Sequence, residues 1–289
     1  MNKNEKPLLV ILLTLLLIAT VGFLLFILRE RAMASDKPPV ISCSSDSIHV
    51  SINAANDELL AGVTAFDAED GDLTDRIVIE SISRFVEKGK SIITYAVFDS
   101  HSHVATVSRD LYFTDYTSPR FELTNALEFT TASSVNPLKF VKAYDCIDGD
   151  ISAKISVSTV NPDDYLSTVG SHAVEFRVTN SYGDIATLTA DIVVTNKTST
   201  EMKYTPVINL STYLVYIDRG EIIDPVDYVE GITILDKTIS VSEFGTGIFD
   251  VDMGDFDSSK PGLYRVMIYC EYEQDSVGSV SLLIAVSED

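Results

Sequence analysis

The order of apolar and polar positions splits the chain in two. Residues 8–28 read LLVILLTLLLIATVGFLLFIL, without a charge. As a helix rising 1.5 Å per residue, that run spans roughly 30 Å, the hydrocarbon thickness of a bilayer. Beyond it the pattern alternates. "HAVEFRVTN" sets Val174, Phe176 and Val178 on one face and Glu175 and Arg177 on the other, the period of two of a half-buried strand. "YRVMIYCEY" repeats it with Tyr264, Val266, Ile268 and Cys270 inward. Polar hairpin signals follow such runs: DSHSH at Asp99, NSYGD at Asn180 and EQDSVG at Glu273. No amphipathic helical stretch of about ten residues appears after the apolar run, so the remainder is expected to be all-β.

The strands recur in register. "DAEDGDLTDRI" at 67–77 returns as "DCIDGDISAKI" at 145–155, an offset of 78 residues that matches Asp67, Asp70, Gly71 and Asp72 to Asp145, Asp148, Gly149 and Asp150. Downstream, "GKSIITYAVFDSHSHVATVSRDLYF" from Gly89 pairs with "GSHAVEFRVTNSYGDIATLTADIVV" from Gly170, and a third copy, "PGLYRVMIYCEYEQDSVGSVSLLIAV", begins at Pro261. Each unit opens after a proline, at Pro38, Pro119 and Pro206. Proline-led polar junctions mark handover between units. The expected division is a tail at 1–7, a transmembrane helix at 8–28 and a juxtamembrane linker at 29–37. Domains follow at 38–116 and 117–196, then a linker at 197–204 and a divergent third domain at 205–289. Short strands in units of about 80 residues predict small antiparallel sandwiches.

"GVTAFDAEDGDLTDRI" followed by the Gly-led strand "GKSIITYAVFDS" resembles the bacterial immunoglobulin-like repeat of surface proteins and pesticidal crystal proteins. That family's pattern runs roughly G-V-x-A-x-D-x-x-D-G-D-L-T, then G-x-Y-x-V-x-Y-x-V-x-D-x-x-G-N. The first unit departs at its hairpin, where DSHSH replaces the Asp-x-x-Gly-Asn turn, and the second keeps "AYDCIDGDIS". The third keeps only the C-terminal half and reads "YVEGITILDKTI" where the acidic turn belongs. The resemblance covers residues 39–195 well and 206–287 loosely. It implies Ig-like sandwiches, so that with the apolar run the expected fold is all-β, an N-terminal transmembrane helix followed by three tandem Ig-like β-sandwiches. Such repeats serve as spacers or binders, so the likeness is informative about fold more than function.

Charge narrows the partners. The formal charge is −22, and residues 38–289 alone hold 16 basic and 40 acidic side chains. That surface repels nucleic acid and anionic headgroups. A cleaved signal peptide is the rival for the apolar run, since Ala32-Met33-Ala34 forms an A-x-A site. Against it, the run exceeds the roughly 7–15 residues of a signal core, and Arg29-Glu30-Arg31 intervenes. A lipoprotein reading through "VISC" fails because Cys43 lies far beyond the run. Lys3 and Lys6 before the span nearly balance Arg29, Arg31 and Lys37 after it. The large acidic region breaks the tie, which places the N-terminus inside a cell membrane, crossed once, and the C-terminal region outside. Cys43, Cys146 and Cys270 fall one to a unit, which predicts no disulfide.

The chemistry on offer is sparse. Asp67, Asp70 and Asp72, and their counterparts Asp145, Asp148 and Asp150, are the candidate metal residues. An EF-hand is excluded: with Gly71 at loop position 6, positions 1 and 3 are Phe66 and Ala68. The preferred reading is a tight turn, with Gly71 at positive φ, Asp70 and Asp72 capping amides, and Leu73 and Ile77 returning to the core. The alternative is that the same turns also bind calcium. His101 and His103, with Asp99, offer a zinc or copper set if both rings face one way; a polar hairpin tip is the plainer reading. His49 and His172 read as surface or half-buried residues. Nucleophile-elbow, phosphate-loop, zinc-protease and dinucleotide motifs are all missing, so no enzyme is expected. The sequons at Asn196 and Asn209 are taken as chance. The expected role is a membrane-anchored bacterial surface spacer, adhesion or protein-interaction module, held by lipid through residues 8–28 and meeting an unknown protein or glycan. Two alternatives stand: a wall- or carbohydrate-binding module using Tyr204, Tyr213, Tyr216 and Tyr228 as a platform, or an accessory subunit of a membrane complex.

Overall fold

The computed structural model describes residues 5–33, 37–271 and 276–287. The apolar run is one helix, Glu5–Met33, reaching into both flanking segments. The Thr14 and Thr20 hydroxyls donate to the carbonyls of Ile11 and Leu17, at 2.8 and 2.9 Å, so both polar side chains of the run are satisfied within the helix. No side chain of Ile11–Leu28 is buried. The helix is long and apolar enough to cross a bilayer, a test that signal sequences also pass.

Three domains of one topology follow. In the first, Val40–Cys43, Val63–Asp67 and Gly71–Asp72 make a three-stranded sheet. Its partner sheet has the order Ser47–Val50, Val104–Phe113, Lys90–Phe98, Val78–Ile82. The second domain repeats this with Arg120–Leu123, Val141–Asp145 and Gly149–Asp150 facing Glu128–Thr130, Ile185–Thr195, Gly170–Thr179 and Ser156–Thr159. In the third, Val207–Leu210, Val229–Ile234 and Lys237–Ser240 face Leu214–Ile217, Val277–Val286, Gly262–Glu271 and Phe249–Asp252. Each first strand pairs antiparallel in one sheet. The chain then crosses over, and the next strand runs parallel to the domain's last.

Alternation builds the cores. Ile93, Tyr95 and Val97 are fully buried, as are Val174 and Phe176, and Val266, Ile268 and Cys270. Tyr95 is tolerated there because its hydroxyl donates to the Leu59 carbonyl at 2.6 Å and accepts from Arg109 Nε at 2.9 Å. Arg109, also buried, donates to the Leu59 and Ala61 carbonyls. A polar clamp thus holds the turn at 59–61 to the sheet, as a buried guanidinium requires. The alternation of "VATVSRDLYF" places Arg109 on the inward face with Val107 and Leu111, but its partners, the Leu59 and Ala61 carbonyls, lie about fifty residues earlier in the chain.

The chain divides between Asp115 and Tyr116 into two compact units, one residue before the expected end of the first domain. The first unit has its own core. In the second, the second and third domains share one continuous buried cluster. Tyr213 N–H donates to the Leu123 carbonyl at 3.2 Å, and Leu283 N–H to the Tyr213 carbonyl at 3.1 Å. The Tyr216 hydroxyl accepts from Phe121 N–H at 3.0 Å, with the Arg120 guanidinium 5.0 Å over its ring. Arg265 pairs with Asp191 at 2.6 Å. Residues 197–204, expected as a linker, carry a helix, Ser199–Tyr204. Thr198 Oγ1 accepts from Glu201 N–H, and the Glu201 carboxylate accepts from Thr198 N–H. The sequence signal was the capping box Thr-x-x-Glu.

Candidate functional site

The acidic turns sit where a strand of the smaller sheet ends. Asp67 closes Val63–Asp67, and its Oδ1 accepts from the amides of Glu69 and Asp70 at 2.8 and 2.9 Å. Gly71 follows at φ +77°, so the chain reverses without a Cβ penalty. Asp72 Oδ1 accepts from Thr74 N–H at 2.9 Å and opens a short 3-10 turn, Thr74–Arg76. Leu73 and Ile77 return to the core as expected. Asp70 does something else: it reaches thirty residues ahead to the neighbouring hairpin and accepts from Ser100 N–H at 2.6 Å and Ser100 Oγ at 2.8 Å.

The second domain repeats the arrangement atom for atom. Asp145 Oδ1 accepts from Ile147 and Asp148 N–H, Asp150 from Ser152 N–H, and Asp148 from Ser181 N–H and Oγ. Lys154 adds an ion pair to Asp148 at 2.9 Å. A network extends inward. Asn180 Nδ2 donates to Asp145 Oδ2 and to the Tyr116 hydroxyl, which donates to Asp184 at 2.6 Å. Burial and the neighbouring Asp184 push the Tyr116 phenol well up. The amides of Asp70 and Glu69 hold Asp67 below the usual carboxylate range, and Thr74 and Ser152 do the same for Asp72 and Asp150.

The six candidate aspartates thus fall into two sets of three, each engaged with amides, hydroxyls or a lysine of its own domain. Among the described residues, no group of three or more His, Cys, Asp or Glu is arranged to hold a metal ion. His101 and His103 lie in a turn, with Ser102 at φ 69° between them. Their ring centroids are 6.3 Å apart. His103 Nδ1 is 2.6 Å from Asp99 Oδ2, while His101 Nδ1 lies 3.8 Å from Glu69. Asp99 also accepts from the amides of His101 and His103, so it organises the hairpin tip.

Two other expectations change. His49 is exposed and stacks on Tyr112, but His172 is buried at 4% exposure. Its partners, Asp164 and the Thr168 carbonyl, come from a loop that the repeat pattern does not cover. The four tyrosines of the third domain form no common platform. Tyr213 is buried and accepts from Leu210 N–H; Tyr216 is tied to Phe121; Tyr228 is half-buried and Tyr204 exposed. A cleft of about 130 Å³ lies instead at the junction of the second and third domains, lined by Phe129, Thr130, Lys197, Met202, Tyr213 and Ser279 among others. All three cysteines are free: Cys43 and Cys146 half-buried, and Cys270 buried, its thiol pushed up by that burial.

No family model matches the chain. Over 151 residues, half the chain, it is 29% identical to an uncharacterized 81.3 kDa protein of Acholeplasma phage L2, covering 18% of that protein. Over 230 residues, 76% of the chain, it is 26% identical to pesticidal crystal protein Cry22Aa of Bacillus thuringiensis, covering 29% of it. The chain therefore spans less than a third of either relative. Among solved structures, it is similar to the M60 catalytic domain with two CBM51 domains of ZmpB from Clostridium perfringens, at TM-score 0.24 and 13% identity, covering 88% of this chain and 31% of that one. Drosophila N-cadherin EC1-4 matches at TM-score 0.24 and 12% identity, over 88% and 76%. At such scores the likeness carries no argument about function.

Proposed function

We propose that this protein belongs with the bacterial Ig-like repeat proteins and is a membrane-anchored surface module. Its helix crosses the bilayer with the N-terminus inside, and its three sandwiches act outside as a spacer and as a contact for a protein or glycan. The role is binding, not catalysis. One observation carries this reading: the carboxylates that looked like chemistry are engaged in building the domains, in the same way twice. What is left is folded surface attached to an apolar helix.

The experiment is fractionation of cells expressing the full chain with a C-terminal tag. The protein is expected in the membrane pellet after high salt, with its N-terminus intact and its tag removed by protease added to whole cells. A mature N-terminus at Ser35 in the medium would overturn the anchor. A protease-resistant tag would overturn the orientation.

The junction cleft favours a glycan as one class of partner, since it combines the Phe129 ring with hydroxyls and Lys197. Glycan-array binding that is lost in Phe129→Ala and Lys197→Ala supports that class; binding unchanged in both variants counts against it.

A further inference from the structure

One strand position is shared by all three domains. The long strands begin at or just after Gly89, Gly170 and Gly262, and two residues on stand Ser91, His172 and Tyr264. Each lies opposite a fully buried aliphatic residue of the last strand: Leu111, Ile192 and Ile284. In the third domain the Tyr264 hydroxyl donates to the Lys260 carbonyl, four residues back, at 3.1 Å. In the second, His172 Nε2 meets the Thr168 carbonyl, also four back, at 2.7 Å. In the first, the carbonyl four back, that of Glu87, is taken by Lys90 N–H. The short Ser91 side chain is buried there with no hydrogen-bond partner. The position is therefore an anchor for the preceding loop, and only the second domain fills it with a group that titrates near neutrality.

His172 has a second bond. Its Nδ1 lies 2.6 Å from Asp164 Oδ1. The loop supplying Asp164 is three residues longer than its counterpart in the first domain, since the repeat offset grows from 78 at the acidic turns to 81 at the opening glycines. Both ring nitrogens face acceptors, a carboxylate and a carbonyl. A neutral imidazole has one N–H, so satisfying both requires the imidazolium. We infer that His172 is a proton-dependent latch that straps the 161–169 loop to the second domain, closed when the ring is charged and loosened when it loses a proton.

The surroundings leave the latch to this pair. Asp164 is the charged group that faces the ring. On the same strand Glu175 falls on the opposite face by alternation, and on the last strand Asp191 pairs outward with Arg265. Segment 131–135, which lines a cleft with Leu166 and Ser167, brings hydroxyls and Val135. Bonds to the Thr168 carbonyl and Asp164 raise the proton affinity of the ring above its ordinary value. The latch is therefore complete below about pH 6.5, the unfolded value, and is lost as pH rises through the raised folded value. Across that window, loop opening should grow about tenfold per pH unit. Tyr165 and Val169 are each more than half exposed on this segment, so the latch governs how an apolar surface is presented.

The test is hydrogen exchange by mass spectrometry on the full chain, over about pH 6 to 9, corrected for intrinsic rates and referenced to the hairpin at 180–184. Protection of 161–169 is expected to fall about tenfold per pH unit within the window while the reference holds. In His172→Gln the dependence should vanish, with the loop open throughout. Flat protection in the parent protein, or an unchanged pH dependence in His172→Gln, would overturn the latch. If that variant fails to fold, the ring nitrogen shifts of the parent decide by nuclear magnetic resonance. An imidazolium persisting above pH 6.5 supports the proposal, and a neutral single tautomer at about pH 6 refutes it.

Discussion

Asp67 matters more to its turn than the residues beside it. It is buried, and a single oxygen accepts from two amides of the turn. Gly71 is at positive φ with nothing near the place a Cβ would occupy, so Gly71→Ala carries only the backbone strain, about 1 kcal/mol. Asp72 caps one exposed amide. The expected order of destabilisation is Asp67→Ala, then Gly71→Ala, then Asp72→Asn, read from thermal unfolding of the full chain. The folded proton affinity of Asp67 is lowered. Its stabilisation is therefore present above about pH 3.9 and is lost as pH falls through the folded value, opposite in sign to His172. If the turns are architecture, unfolding midpoints in chelator and in millimolar calcium will coincide. A calcium-dependent rise that disappears in Asp67→Asn would mean the turns also bind the ion. The glycine and the returning Leu73 were legible in the sequence. The ranking of the aspartates was not, because the partner of Asp70 is Ser100, in a hairpin thirty residues away.

Strands were the most legible elements, since alternation in "HAVEFRVTN" and "YRVMIYCEY" is a local property and the structure keeps it. Elements fixed by contacts between segments were not. The helix Ser199–Tyr204 is too short to show periodicity, and only its capping box marked it. The last strand, Val277–Val286, hides a similar constraint at Gly278. A Cβ there would collide with the backbone carbonyl of Pro206, where the third domain begins. Gly278→Ala must push the opening of that domain outward and is expected to cost about 1–3 kcal/mol. Gly247→Ala, where the space is open, is the control that should leave the unfolding midpoint nearly unchanged.

For the whole molecule, the division of the core sets how it melts. Calorimetry of the full chain should resolve two transitions, one for residues 38–115 and a larger one for 116–289, because the second and third domains share a cluster. Tyr213 lies inside that cluster, with its backbone bonded to both domains. Tyr213→Ala is expected to remove about 3 kcal/mol and lower only the larger transition, by roughly 6–12 °C. Asp191→Ala breaks an exposed ion pair with Arg265 and should shift the same transition by less than about 1 kcal/mol. The repeats and the prolines that open each unit were visible in the sequence. The fusion of the last two was not, since "TYLVYI" reads like any domain's second strand. Only the tertiary fold shows Tyr213 and Tyr216 meeting the strand Arg120–Leu123.

The crossover near the start of every domain has a mechanical consequence. Ser47–Val50, Glu128–Thr130 and Leu214–Ile217 each run parallel to the last strand of their own domain. A pull on the two ends of a domain then slides these strands past one another and loads their hydrogen bonds together, whereas an antiparallel hairpin pulled from its open end peels one bond at a time. Each domain thus carries a shear clamp between its second strand and its last.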